Sequence, residues 1–151
     1  MENKCKVVIL RGERATGKTL IIDTIKSIYQ YAVGDSVNNP NFVEIDLTEW
    51  IFNAKKHFHK NNLQYLKNDA TILRYKTYDI FDTHIFDGCE FKDISEFLKI
   101  VKEGSNLINY LGHKYFRNQI YLLTTNDDCD ELKNQYSEII DIYIIKLCNK
   151  L

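Results

Sequence analysis

The sequence predicts an α/β fold in three layers, a mostly parallel central sheet with helices on both faces. Three observations carry that expectation. Apolar, β-branched runs alternate along the chain with segments of helical spacing, as in successive strand–helix–strand units. The first such run, Cys5 to Leu10, enters a helical segment through a loop bracketed by Gly12 and Gly17. The length, 151 residues at 44% hydrophobic and 27% charged, suits one domain spanning 1–151, large enough to bury roughly 70% of its unfolded surface.

The elements follow in order. Cys5 to Leu10 (CKVVIL) reads as a buried strand, and Leu20, Ile21, Ile25, Ile28 and Tyr29 recur at helical spacing after the loop. The stretch 34–41, which holds Pro40, the only proline, is the strongest loop signal. Phe42 to Leu47 reads as a second strand by alternation, with Thr48 as the cap of a following helix. Ala54 to Leu66 reads as a partly exposed helix and Thr71 to Tyr75 as a short strand. Thr83 to Asp87 is a brief apolar run ending in a carboxylate. Ile94, Phe97, Leu98 and Val101 mark a helix over 93–101. Residues 106–117, around Gly112-His113, suggest a hairpin. Gln119 to Asn126 is a strand with a polar end, Asp130 to Ile139 a short helix, and Asp141 to Leu147 the last strand.

The glycine-bracketed loop carries the most specific signal. Gly12, Glu13, Arg14, Ala15, Thr16, Gly17, Lys18 and Thr19 satisfy G-x-x-x-x-G-K-[ST], the P-loop or Walker A pattern. The pattern has a physical basis. A phosphate chain needs many donors at close range, and backbone N–H groups approach it where glycines remove side chains. The helix that follows adds its own unpaired N–H groups and positive dipole end. Lys18 would reach the β- and γ-phosphates, and the Thr19 hydroxyl would ligate Mg²⁺. Strand, loop and helix occur in the required order, so the expected architecture is the three-layer P-loop NTPase fold. Residues 12–20, Gly12 through Leu20, are the expected nucleotide-binding segment, and ATP or another NTP with Mg²⁺ is the expected ligand.

Other totals exclude more than they assign. A formal net charge of −1 gives no global basic field for nucleic acid. The four cysteines, at 5, 89, 129 and 148, form no C-x-x-C pair and read as buried free thiols of a reducing, intracellular compartment. No leader peptide is expected ahead of the first strand. No apolar stretch approaches the ~20 residues of a membrane helix, so no membrane partner is expected. His57-Phe58-His59 has the spacing of one strand face and lacks the third ligand a zinc site needs. The ten tyrosines read as packing, with Tyr110 and Tyr115 near the hairpin as base-stacking candidates.

Hydrolysis requires a fixed metal and an oriented water. A carboxylate at the end of a second strand supplies the first, and Asp87 is the choice for that Walker B role. Asp46, Asp79 and Asp82 are its rivals. Gly88 follows Asp87 where a second acid is usual, and Glu90 stands two residues further on. Asn126, at a strand end, would hydrogen-bond the attacking water; read without the loop it would be a turn initiator. Lys18, Asp87 and Asn126 are therefore the expected catalytic residues, and Thr19 and Asp87 the expected metal ligands.

The order of these parts resembles the ATPase core of the AAA+ class, in particular the superfamily-3 helicases of small viruses and plasmids. RGERATGKT matches Walker A, HIFDGCEFKDISEFLKIV looks like Walker B and its helix, and NYLGHKYFRNQIYLLTTND looks like a hairpin leading into a sensor strand. DELKNQYSEIIDIYIIKL looks like the last helix and strand. The resemblance implies ATP hydrolysis, a role in nucleic-acid replication, a location in the cytoplasm or host-cell interior, and assembly with copies of itself or with a partner protein. It implies an arginine supplied by the neighbouring subunit, with Arg74 and Arg117 the candidates among four arginines. The chain departs from the family in Gly88 and in the basic hairpin residue, for which His113 or Lys114 would stand, and no lid is expected after Leu147 nor a nuclease domain before Cys5. Two alternatives stay open: a P-loop kinase of a nucleoside, nucleotide or other small molecule, with Lys55, Lys56 and Lys60 as lid charges, and a nucleotide-binding partner subunit that hydrolyses weakly.

Overall fold

Among the described residues five strands hydrogen-bond in the order β2-β3-β4-β1-β5, and every neighbouring pair is parallel. They are β1 (Cys5–Arg11), β2 (Phe42–Glu44), β3 (Thr83–Cys89), β4 (Ile120–Thr125) and β5 (Ile140–Lys146). The helices of the described residues are α1 (Lys18–Val33), α2 (Leu47–Phe58), α3 (Phe91–Gly104) and α4 (Asp130–Tyr136). This computed structural model describes residues 4–13, 17–33, 42–58, 83–105, 116 and 119–148. The expected α/β architecture, a parallel sheet flanked by helices, is the one observed.

Alternation along the strands divides the core into two layers. Val7 and Ile9 of β1, Phe86 of β3, and Tyr121 and Leu123 of β4 face α2, α3 and α4. Leu10, Ile85 and Leu122 face α1, where Ile22 is buried against them. Handedness explains the division. The β1-to-β2 connection runs one way along the sheet, and the later connections run the other. Right-handed crossovers therefore put α1 on one face and α2, α3 and α4 on the opposite one.

The α2–α3 face holds the larger core, and its centre is aromatic. Trp50, Phe86, Phe97 and Tyr121 are fully buried. Trp50 meets Phe97 edge-on at 5.0 Å between centroids, and Phe86 stacks on Tyr121 at 5.8 Å. Such pairs contribute about 0.5–1.5 kcal/mol each beyond the area they bury. His84 packs in the same cluster, 4.9 Å from Tyr121. A histidine in this place serves packing. Gly104, near the end of α3, lies under the Phe116 ring, where a Cβ would come 2.2 Å from a ring carbon.

Several boundaries differ from the sequence reading. The second strand stops at Glu44, and Leu47 already belongs to α2. The cap is Asp46 rather than Thr48: its Oδ1 accepts the Thr48 N–H at 3.2 Å and its carbonyl accepts the Trp50 N–H. An Asx cap competes well with strand continuation because it satisfies an otherwise orphan donor. The third strand runs past Asp87 to Cys89, and its helix spans Phe91–Gly104 rather than 93–101. Leu20, grouped by spacing with the apolar positions of α1, is 70% exposed. Cys5, Cys89 and Cys129 are buried free thiols as expected, but Cys148 is exposed beyond the end of β5. The expected strand at 71–75, the 106–115 arm of the hairpin with Arg117, and the part of the 54–66 helix beyond Phe58 lie outside the described residues.

Candidate functional site

In an open parallel sheet, ligands bind beyond the carboxyl ends of the strands, where neighbouring connections leave toward opposite faces. Here that point lies between β1 and β4. A cleft of about 620 Å³ opens there, lined by the start of α1, the end of β3 and the end of β4. Its size falls in the ~300–1,000 Å³ range of small-molecule sites.

One wall is made by Gly17, at the end of the loop after β1, and the start of α1. Gly17 has φ +91, a left-handed conformation that a side chain would strain. The Gly17 carbonyl accepts the Ile21 N–H at 3.0 Å, so α1 starts directly from the loop. No acidic residue sits in the first turn of α1, which leaves its positive dipole end uncompensated there. Lys18 curls back over the loop and donates its ammonium to the Gly12 and Glu13 carbonyls, the latter at 2.8 Å. Lys18, Thr19 and Leu20 line the cleft together with Gly17. Gly12 and Glu13 begin the loop beside it, and Arg14, Ala15 and Thr16 lie outside the described residues.

The opposite wall is a side-chain lattice. Between Phe86 and Cys89 the β3–β4 register slips, because three steps on β3 match two on β4 from Leu123 to Thr125. The extra residue makes a bulge at Asp87-Gly88, with Gly88 at φ +71. Opposite the bulge, the Thr124 hydroxyl accepts the Gly88 N–H at 2.7 Å and donates to Asp87 Oδ1. Thr125 donates to the Cys89 carbonyl at 2.7 Å and accepts the Asp127 N–H at 3.1 Å. Asp127 Oδ2 accepts the Phe91 N–H at 2.8 Å, which caps α3. Asp87, Glu90, Asn126 and Asp127 all line the cleft. The two walls are joined by the Gly12 N–H, which donates to the Thr125 carbonyl at 3.0 Å.

Lys18, Thr19, Asp87 and Asn126, singled out from the sequence, thus border one cleft. Asp46, the described rival of Asp87, caps α2 and is not part of the lining. Asp79 and Asp82 lie outside the described residues, as do Arg74, His113, Lys114, Tyr110 and Tyr115. The sequence reading missed Thr124 and Asp127 as partners of this wall. An isolated glycine inside a strand pattern signals a bulge, so the Asp87-Gly88 step could have been read; the threonine opposite it could not.

Cys89 also lines the cleft, but burial, reinforced by the nearby Asp87 charge, pushes its thiol up to about 12. It stays protonated at neutral pH and is a poor nucleophile. At the end of β1, Arg11 lies 3.8 Å from Asp128, whose carboxyl is held below the usual range chiefly by the Asp130 N–H and then by Arg11. Among the described residues, no group of three or more His, Cys, Asp or Glu side chains gathers as a metal cage, and no helix is long and apolar enough to cross a membrane. No family model matches the chain, and no curated protein matches it.

Proposed function

We propose that the protein is a P-loop NTPase of the AAA+ or superfamily-3 helicase type, binding ATP or another NTP with Mg²⁺ and hydrolysing it. One observation carries the reading: Gly17, Lys18 and Thr19, the end of the Walker A pattern at the start of α1, share one cleft with a strand-end carboxylate, Asp87, and a strand-end amide, Asn126. The donor set suits Mg²⁺, which needs only one or two protein ligands because phosphates and water complete its shell. Thr19 and Asp87 would hold it, and the ion would neutralise charge on the β- and γ-phosphates.

The remaining residues divide the work. Backbone N–H groups of the loop and α1 bind the phosphates, and Lys18 leaves its loop carbonyls for phosphate oxygens. Asn126 orients water at the γ-phosphorus. Glu90 accepts the proton. Among the described residues three carboxylates line the strand side of the cleft, and two are engaged: Asp87 by Thr124 and Asp127 by the α3 cap. Glu90 stands at the N-cap position of α3 yet makes no side-chain cap bond. As the water oxygen bonds to phosphorus, the bond to the bridging oxygen breaks, the water proton passes to Glu90, and NDP and phosphate leave.

The strand order favours hydrolysis over the kinase alternative. With β4 between β1 and β3, a polar strand end stands between the loop and the acid. That place suits a residue that orients water. A role in nucleic-acid replication, with subunits meeting to complete each other's sites, goes with this reading. The test is titration of the folded Lys18→Ala protein with NTP and Mg²⁺. Loss of one charge-assisted bond, ~1.5–3 kcal/mol, should weaken binding roughly 10- to 150-fold. Unchanged affinity would overturn the P-loop assignment. Phosphorylation of a nucleoside by the wild-type protein, without NTP hydrolysis in water, would move the assignment to a kinase.

A further inference from the structure

We infer that Thr124 is a positioning residue for Asp87 and sets the Mg²⁺ requirement of the cleft. The inference rests on the P-loop reading above and deepens it. Its ground is the double bond made by one hydroxyl. Thr124 Oγ1 accepts the Gly88 N–H at 2.7 Å while donating to Asp87 Oδ1. Thr124 is almost completely buried at the end of β4, and Asp87 is exposed to the cleft.

The bulge explains why such a bond is needed. A regular strand end holds its side chains by its ladder, but the extra residue at Asp87-Gly88 breaks the ladder at this point. The backbone N–H of Gly88 lies within this break and donates to the threonine oxygen. A hydroxyl that accepts from an N–H is a better donor, and its proton goes to the carboxylate. The chain N–H, hydroxyl, carboxylate thus fixes both the bulge and the Asp87 rotamer. Oδ1 is held toward β4, and Oδ2 keeps its lone pairs for a cation in the cleft. Ordering this carboxylate before the ion arrives removes a cost from metal binding. Thr125 makes the equivalent brace one residue later, donating to the Cys89 carbonyl and accepting the Asp127 N–H, and among the described residues its hydroxyl bonds no carboxylate. The two neighbouring threonines therefore have separable roles.

The experiment compares Thr124→Val, Thr124→Ser and Thr125→Val with wild type. Fluorescent NTP is titrated in EDTA and then over a Mg²⁺ series, with thermal unfolding run in parallel. Thr124→Val keeps shape and strand propensity but loses both bonds. It should bind NTP in EDTA as wild type does, while its Mg²⁺ midpoint rises about tenfold, the equivalent of ~1.4 kcal/mol. Thr124→Ser keeps the hydroxyl and should restore the midpoint. Thr125→Val should lower the melting temperature and leave the midpoint in place. A wild-type midpoint in folded Thr124→Val overturns the inference while leaving the P-loop reading intact. If Thr124→Val does not fold, a raised midpoint in Thr124→Ser, or the same shift in Thr125→Val, overturns it. A wild-type protein that binds no NTP with or without Mg²⁺ overturns both.

Discussion

The two walls of the cleft are built by different means. The loop wall is backbone: glycines, helix-start N–H groups and one lysine. The strand wall is side chain: two threonines, two aspartates and a bulge that re-aims one of them. Each wall nevertheless turns on one glycine in the left-handed region, Gly17 at φ +91 and Gly88 at φ +71. On the proposed reading, the contrast is between a phosphate site made mostly from chain geometry and a cation site whose carboxylate is oriented by its neighbours.

The largest effect would come from outside both walls. Among the described residues no arginine lines the cleft, and an arginine finger is worth about 10³–10⁵ in rate. Specific ATPase activity should rise with protein concentration over a hundredfold range, in step with assembly seen by light scattering. Arg74→Ala or Arg117→Ala should abolish that rise with little change in NTP affinity. Constant, fast turnover from a monomer would show that the two walls suffice alone.

Next in size is Glu90→Gln. Removing a general base lowers turnover by roughly 10²–10⁴. The variant should hold NTP and Mg²⁺ as tightly as wild type, because neither wall loses a ligand. Equal turnover in a single-turnover assay would remove Glu90 from the reaction.

The paired glycines sharpen the comparison. A Cβ at either position meets nothing within 4 Å, so the penalty is conformational alone. Gly17→Ala and Gly88→Ala should each cost about 1–2 kcal/mol in chemical denaturation. Their binding defects should differ. Gly17→Ala should weaken NTP even in EDTA, and Gly88→Ala should act only through the Mg²⁺ midpoint. Identical defects would mean that the walls do not act separately.

The smallest effect belongs to Asp46→Ala. Loss of the α2 cap should cost ~1 kcal/mol of stability and leave NTP and Mg²⁺ binding unchanged in a calorimetric titration. Loss of Mg²⁺-dependent binding would instead make Asp46 the metal acid and return Asp87 to a structural role.

Local sequence carries the loop reading and determined the layering. Gly12, Gly17, Lys18 and Thr19 lie within eight residues, so the pattern they make is legible from spacing alone. The strand faces follow from alternation, because successive side chains must point to opposite sides. Strand ends were less legible. Phe42 to Leu47 alternates past the true strand end, since an Asx cap at Asp46 competes with the ladder for the same backbone. The strand wall was decided by tertiary structure. Thr124 is 37 residues from Asp87 in the chain, and nothing local says that they touch. They meet because the strand order places β4 between β1 and β3, and because a bulge brings the Gly88 N–H and the Asp87 carboxylate to one hydroxyl. Such a bond depends on strand order and register, and both are set by how whole layers pack.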